Sequence, residues 1–271
     1  MGRWTLDDIP WDRFDRSKVD PDIVGLVKAA SLVEYNGAAY AHHLCRIFDD
    51  DPDFQRDARR WGVEEIRHGE ALGRWAELAD PGFDFAAAFG RFQAGFRVDF
   101  DCASSRRGSR AGEMVARCMV EVGTSSYYTA LREAVREPVL KQICGNIAAD
   151  EIRHYKLFHN NLLRCLERER IGLWGRLQVA LRRIAESEDD ELAYAYYAAN
   201  DPARPYDRRR YSRAYARRAF ALYRRHHVAH GMSLILRAIG VRPHGRLARA
   251  AGLLAWNLMR YRAMRLAKAG A

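Results

Sequence analysis

Apolar positions recur along the chain at three- and four-residue steps, in long runs cut by clusters of acids and proline. After an arm of about 20 residues, Pro21 is suited to the first turn of a helix, and a helical pattern runs to about Phe48, where "DDDPD" stops it. A second pattern covers about 54–80 and ends at "DPG"; a third covers about 110–136 and a fourth about 138–170. The breaks inside each pair are short and polar, so the partners should run antiparallel. Between the second and third lies the longer connection 81–109, where Phe85, Phe89, Phe92 and Phe96 follow a 4-3-4 spacing. That spacing marks one apolar stripe on a short helix. The pattern predicts an all-α four-helix bundle with a long crossover between its second and third helices, plus additional C-terminal helices.

The chain also repeats itself. "VEYNGAAY" (33–40) aligns with "VEVGTSSY" (120–127), and "EIRH" occurs at both 65–68 and 151–154, at offsets of 87 and 86 residues. The two helix pairs look like copies, and copies of an antiparallel pair can pack about a local two-fold axis.

Composition narrows the class. With 271 residues, 48% hydrophobic residues and only 8 prolines, the chain can bury a sizeable helical core. No stretch approaches the roughly 20 uncharged apolar residues of a membrane span. The N-terminal segment carries acids where a signal peptide would be apolar, and five cysteines without a CxxC pair fit reduced thiols. Both point to the cytoplasm. Charge divides the chain: from Asp201 onward there are 17 Lys/Arg and 2 Asp/Glu, a net of +15 against +10 for the whole, which leaves −5 on residues 1–200. The expected organisation is an N-terminal arm (1–20), a bundle (21–170) and a basic helical extension packed on it (171–271). Such an extension suits something anionic, or is simply an arginine-rich solvated surface.

Residues i and i+3 of a helix share a face. Glu65 with His68, and Glu151 with His154, can therefore each offer an oxygen and a nitrogen to one ion. Glu34 precedes Glu65 by 31 residues and Glu121 precedes Glu151 by 30, enough to climb one helix and return to the same height on its partner. Four carboxylates and two imidazoles then converge at mid-bundle. Buried together they would repel and protonate, and two divalent cations resolve this charge for charge. Mixed oxygen and nitrogen ligands suit iron or manganese better than structural zinc. The competing reading, of solvated acids and two satisfied core histidines, gives no reason for the repeat.

The pattern Glu34…Glu65-x-x-His68…Glu121…Glu151-x-x-His154 resembles the ferritin-like non-haem di-iron carboxylate proteins. The form at Glu64–His68 and Asp150–His154, with "WGVEEIRHGEAL", is most similar to soluble acyl-carrier-protein desaturases and bacterial multicomponent monooxygenases. The likeness covers about residues 25–165. It implies a ferritin-like bundle holding two iron ions (Fe2+/Fe3+, with manganese as a substitute) and using O2 as co-substrate. Glu65 and Glu151 would bridge the metals, Glu34 and Glu121 would be terminal, and His68 and His154 would each hold one. A metal-bound imidazole usually donates its other N–H to an oxygen. Asp150 could accept from His68 and Glu64 from His154; exposed salt bridges with Arg67 and Arg153 are the equal alternative. Thr124 matches a desaturase threonine associated with oxygen activation, and a bond back to its own helix carbonyls is no less expected. Its counterpart in the first half is Gly37. Tyr40 and Tyr127 read as core aromatics.

The expected activity is an oxidase or oxygenase that desaturates or hydroxylates an unactivated C–H bond of an acyl or other hydrophobic substrate. Electrons must come from an external ferredoxin or reductase, since no flavin or Fe–S motif is visible. Hydroxylation of a tRNA base or aromatic amine, and ferroxidase or iron-handling activity, are the alternatives. In the C-terminal third, Leu247, Ala251, Leu254, Leu258 and Tyr261 form a stripe among arginines. It could cap the bundle core, lie on an anionic membrane surface as a peripheral anchor, or dock an acidic carrier protein, with nucleic acid less favoured. A homodimer is compatible with all three. His226, His227 and His230 have metal-compatible spacing but no acidic neighbour in sequence.

Overall fold

Acid–proline pairs start three of the four long helices. Asp20–Pro21 opens α1 (Pro21–Tyr35), Asp51–Pro52 opens α3 (Pro52–Ala79), and Glu137–Pro138 opens α6 (Pro138–Arg168). In each the acid's side chain accepts from backbone N–H groups that the first turn leaves unpaired, while proline supplies the helical φ and lacks the N–H. Ser109 caps α5 (Arg110–Ala134) in the same way. The computed structural model describes residues 4–96, 104–186 and 190–268. Residues 1–3 of the arm, 97–103 of the crossover, and 187–189 and 269–271 of the C-terminal third lie outside the described residues.

The protein is all-α, and the described residues contain no strand. The first predicted helix is divided at Asn36 into α1 and α2 (Gly37–Ile47). Here the chain crosses α3 at glycine distance: a Cβ on Gly37 would run into Glu65, one on Gly62 would lie 2.7 Å from the Ala41 Cβ, and one on Gly69 2.5 Å from the Tyr35 nitrogen. The phenylalanine spacing becomes α4 (Phe85–Gly95), with Phe92 fully buried and stacked between Phe89 and Phe96.

Helices α1 and α2 pack on α3, α5 packs on α6, and α3 faces α6 across the bundle. Two apolar cores fill the ends. One holds Leu26, Leu32, Trp75, Phe92, Leu131 and Ile143; the other holds Leu44, Phe54, Trp61, Met114, Phe158 and Leu162. The buried acids and histidines of the two motifs and their partner glutamates fall between them on α1, α3, α5 and α6.

Beyond the bundle come α7 (Leu173–Glu186), α8 (Asp190–Asn200), α9 (Arg208–Leu222), α10 (Arg225–Ile239) and α11 (Arg246–Lys268). Helix α8 lies on α1, where Asn200 Nδ2 donates to the Gly25 carbonyl at 3.1 Å; α7 and α10 lie on α5, and α11 on α9 and α10. The reading in which the α11 stripe caps the core is overturned. Leu247, Leu254, Leu258 and Tyr261 are exposed, and Gly252 is the buried residue of that helix. Gly252 faces α10 near Ala229, so this side of α11 packs and the leucine side does not. No described helix is long and apolar enough to cross a membrane.

Candidate metal centre

Each motif sits in the middle of a long helix, where i,i+3 geometry holds its glutamate and histidine on one inward face. Glu34 enters from the last turn of α1, Glu65 and His68 from α3, Glu121 from α5, and Glu151 and His154 from α6; all six are buried. The structure brings them together as two overlapping groups, Glu34–Glu65–His68–Glu151 and Glu65–Glu121–Glu151–His154. Within each group the candidate ligand atoms lie within 4.8 Å of one another, and Glu65 and Glu151 belong to both. His68 Nδ1 is 3.4 Å from Glu34 and 3.3 Å from Glu151, while His154 Nδ1 is 3.0 Å from Glu65 and 3.6 Å from Glu121.

Several of these atoms are buried without a hydrogen-bond partner: Glu65 Oε1, both Glu121 oxygens, Glu151 Oε1 and His154 Nδ1. His154 Nδ1 and Glu65 Oε1 approach closely, but not with the angles of a hydrogen bond. Buried polar atoms left unpaired are costly, and here they converge on shared points. A hard-to-borderline divalent cation in each group fits this donor set of carboxylate oxygens and imidazole nitrogens.

The electrostatics carry the same strain. Burial, then the charges of Glu151 and Glu34, push Glu65 well above the carboxylate range. Burial and Glu151 push Glu121 up to about 8. Burial would also raise Glu151, but His68 close beside it and the charges of both histidines hold it below its ordinary value. Burial alone would lower His68 and His154; the surrounding carboxylates outweigh it and raise both well above the imidazole range. Without cations, the chain must hold protons here instead.

Behind the histidines the two motifs mirror each other. His68 Nε2 lies 3.1 Å from Asp150 and His154 Nε2 lies 3.0 Å from Glu64, so a proton kept on each Nε2 turns the opposite Nδ1 toward the centre for a cation to meet. The arginine pairs are present too. Arg67 reaches Asp150 at 3.3 Å, and Arg153 reaches Asp150 at 2.6 Å and Glu64 at 3.7 Å. The arginine pairing is therefore present but not exposed: Glu64 and Asp150 are buried, and each carboxylate has lone pairs for a histidine and an arginine together. Burial works against ionised Asp150, yet the His68 bond, the charges of His68 and Arg153 and the Trp4 bond bring it down to about 2. The Thr124 hydroxyl donates to Glu151 and also lies 3.3 Å from the Val120 and Glu121 carbonyls, the backbone contact expected of it.

Three nearby residues escaped sequence reasoning. Tyr128 donates to Glu34 Oε1 at 2.6 Å. It lies seven residues after Glu121 and so on the same face, a signal masked by the alignment of its neighbour Tyr127 with Tyr40. Trp4, from the arm, donates to Asp150 at 3.0 Å and stacks on His68. Glu191 of α8 has a buried oxygen without a hydrogen-bond partner; burial and the Glu34 charge push it up to about 8. Neither of the last two is near the motifs in sequence.

The histidines of α10 gain an acid that the sequence could not supply. Glu133, from the end of α5, faces His226 at 3.0 Å and His227 at 3.2 Å. The Arg224 backbone N–H donates to His227 Nδ1, so a neutral His227 carries its proton on Nε2 and turns no metal-binding lone pair toward Glu133.

A family model described as fatty acid desaturase matches residues 46–184, just over half of the chain. The match takes in Glu65, His68, Glu121, Glu151 and His154 and begins after Glu34. No curated protein matches the chain.

Proposed function

The chain belongs to the fatty acid desaturase family, and from that premise we propose that its buried centre binds two iron ions and uses O2 to desaturate or hydroxylate an acyl or similarly hydrophobic substrate. The observation that carries this reading is the pair of overlapping carboxylate–histidine groups with unpaired buried atoms. When bound, a pair of irons supplies the electron transfer to dioxygen that side chains cannot perform.

The chain's own residues do the rest. Glu65 and Glu151 are shared between the two positions, Glu34 and Glu121 serve one each, and His68 and His154 each present Nδ1. Asp150 and Glu64 hold the protons on the opposite ring nitrogens and so fix the tautomers. Thr124 holds a hydroxyl proton against Glu151, on a face where the other hairpin has Gly37. The two apolar cores above and below keep bulk water out. In desaturation, four electrons reduce O2 to two waters; the substrate's two C–H bonds give two and an external ferredoxin or reductase gives two. In hydroxylation one oxygen atom enters the product and the other leaves as water.

The experiment is anaerobic titration with Fe(II), followed by oxygen, an electron donor and acyl substrates. Two irons per chain in wild type, loss of them in Glu151→Ala, and a product lighter by two hydrogens or heavier by one oxygen are expected. Less than one iron per chain in wild type and variant alike would falsify the reading. Iron handling predicts oxidation whose rate ignores substrate, and hydroxylation of a tRNA base or aromatic amine predicts turnover only with those compounds.

A further inference from the structure

Helix α11 has two apolar faces and packs only one. Opposite the side that holds Gly252 against α10, Leu247, Leu254, Leu258 and Tyr261 are exposed by 66, 71, 58 and 54%. They recur once per turn or two along about 20 Å of helix. The same helix carries Arg246, Arg249, Arg260, Arg262, Arg265 and Lys268, and no Asp or Glu occurs from Arg208 to Ala271. Helix α7, which also packs on α10, exposes Trp174 by 78% and Leu181 by 58%, seven residues apart and hence on one face. Isolated exposed leucines need no explanation, but a continuous apolar row edged by one sign of charge does.

We propose that this face seats on an anionic phospholipid surface, with α11 lying in the headgroup plane and Trp174 at the interface. Charge and apolarity together select that occupant. Nucleic acid offers phosphates to the arginines but nothing to the leucines. A second copy would set six cations against six cations across its axis, unrelieved by any acid of α11. A lipid surface offers phosphates and acyl chains at once, in a plane that suits a helix face rather than a pocket. The inference goes beyond the reading of the metal centre and stands independently of it.

The test uses the full chain with large unilamellar vesicles, of phosphatidylcholine alone or with one quarter phosphatidylglycerol. Co-sedimentation should be at least about tenfold stronger with the anionic vesicles and should weaken in high salt. Leu254→Glu/Leu258→Glu should lose about 100-fold in partitioning while keeping wild-type helicity and iron content. Arg246→Gln/Arg249→Gln/Arg260→Gln should lose at least about tenfold and clearly reduce the salt dependence. Trp174→Phe should remove the blue shift of tryptophan emission on binding. No sedimentation of wild type, equal binding by the folded leucine double variant, or a wild-type dimer that this variant splits would each overturn the proposal. The last would assign the face to a second copy of the chain.

Discussion

Gly37 and Thr124 occupy equivalent places in the two hairpins, and their difference is dictated by space. A side chain at Gly37 would collide with Glu65, whereas Thr124 has room to turn its hydroxyl onto Glu151. Gly37→Ala should therefore cost about 1–3 kcal/mol of stability, seen as a lower urea midpoint, and should reduce bound iron because Glu65 must move. Asp150 gathers His68, Trp4, Arg67 and Arg153 on one buried carboxylate. Asp150→Asn keeps an acceptor but removes the charge; Fe(II) or Mn(II) affinity in a competition titration should fall about 10–100-fold with helicity unchanged. At this scale the two Glu-x-x-His pairs were legible because a helix period places them. Trp4 and Glu191 were not, since nothing in a linear pattern says which distant segment will cover a site.

The four long helices announce themselves through caps and breaks, and their observed ends fall within about two residues of the sequence reading, inside the usual scatter of helix ends. Glu137 shows why the signals are strong. It accepts from the Leu140 and Val139 backbone N–H groups at 2.7 and 3.2 Å, and from Trp75 Nε1 at 2.7 Å. Glu137→Ala removes the cap and orphans a buried indole N–H, so thermal or urea unfolding should show a loss of about 2–4 kcal/mol. The break at Asn36 and the outward turn of the α11 leucines went the other way. The break depends on how near α3 can come, which Gly62 and Gly69 decide from outside the local pattern; the leucine face is left out because α11 packs on α9 and α10 by its other side.

Across the whole molecule the centre links stability to protons and cations. Glu65 and Glu121 have folded values raised above their unfolded ones, and so do His68 and His154. Groups raised in this way stabilise the fold fully below their unfolded pKa and lose that contribution as pH rises. Glu151 and Asp150 act in the opposite sense. With four raised groups against two lowered ones, the metal-free chain should lose thermal stability as pH rises from about 5 through about 8, where Glu121 gives up its proton. Mn(II) or Fe(II) replaces the protons, so the metal-induced rise in melting temperature should be larger at pH 8 than at pH 6. A melting temperature independent of pH, or a metal shift larger at the lower pH, would contradict the linkage.

By itself the sequence determined the helical class, the duplicated hairpin and the six side chains able to converge, because periodicity, caps and i,i+3 spacing are local properties of a helix. Only the tertiary structure decided what surrounds them: the arm that brings Trp4 to Asp150, the acid of α8 beside Glu34, the glutamate that meets the α10 histidines, and which face of α11 is left to solvent. Those outcomes depend on contacts between residues far apart in the chain, and such contacts are set by the shapes of packed surfaces rather than by any repeat along the chain.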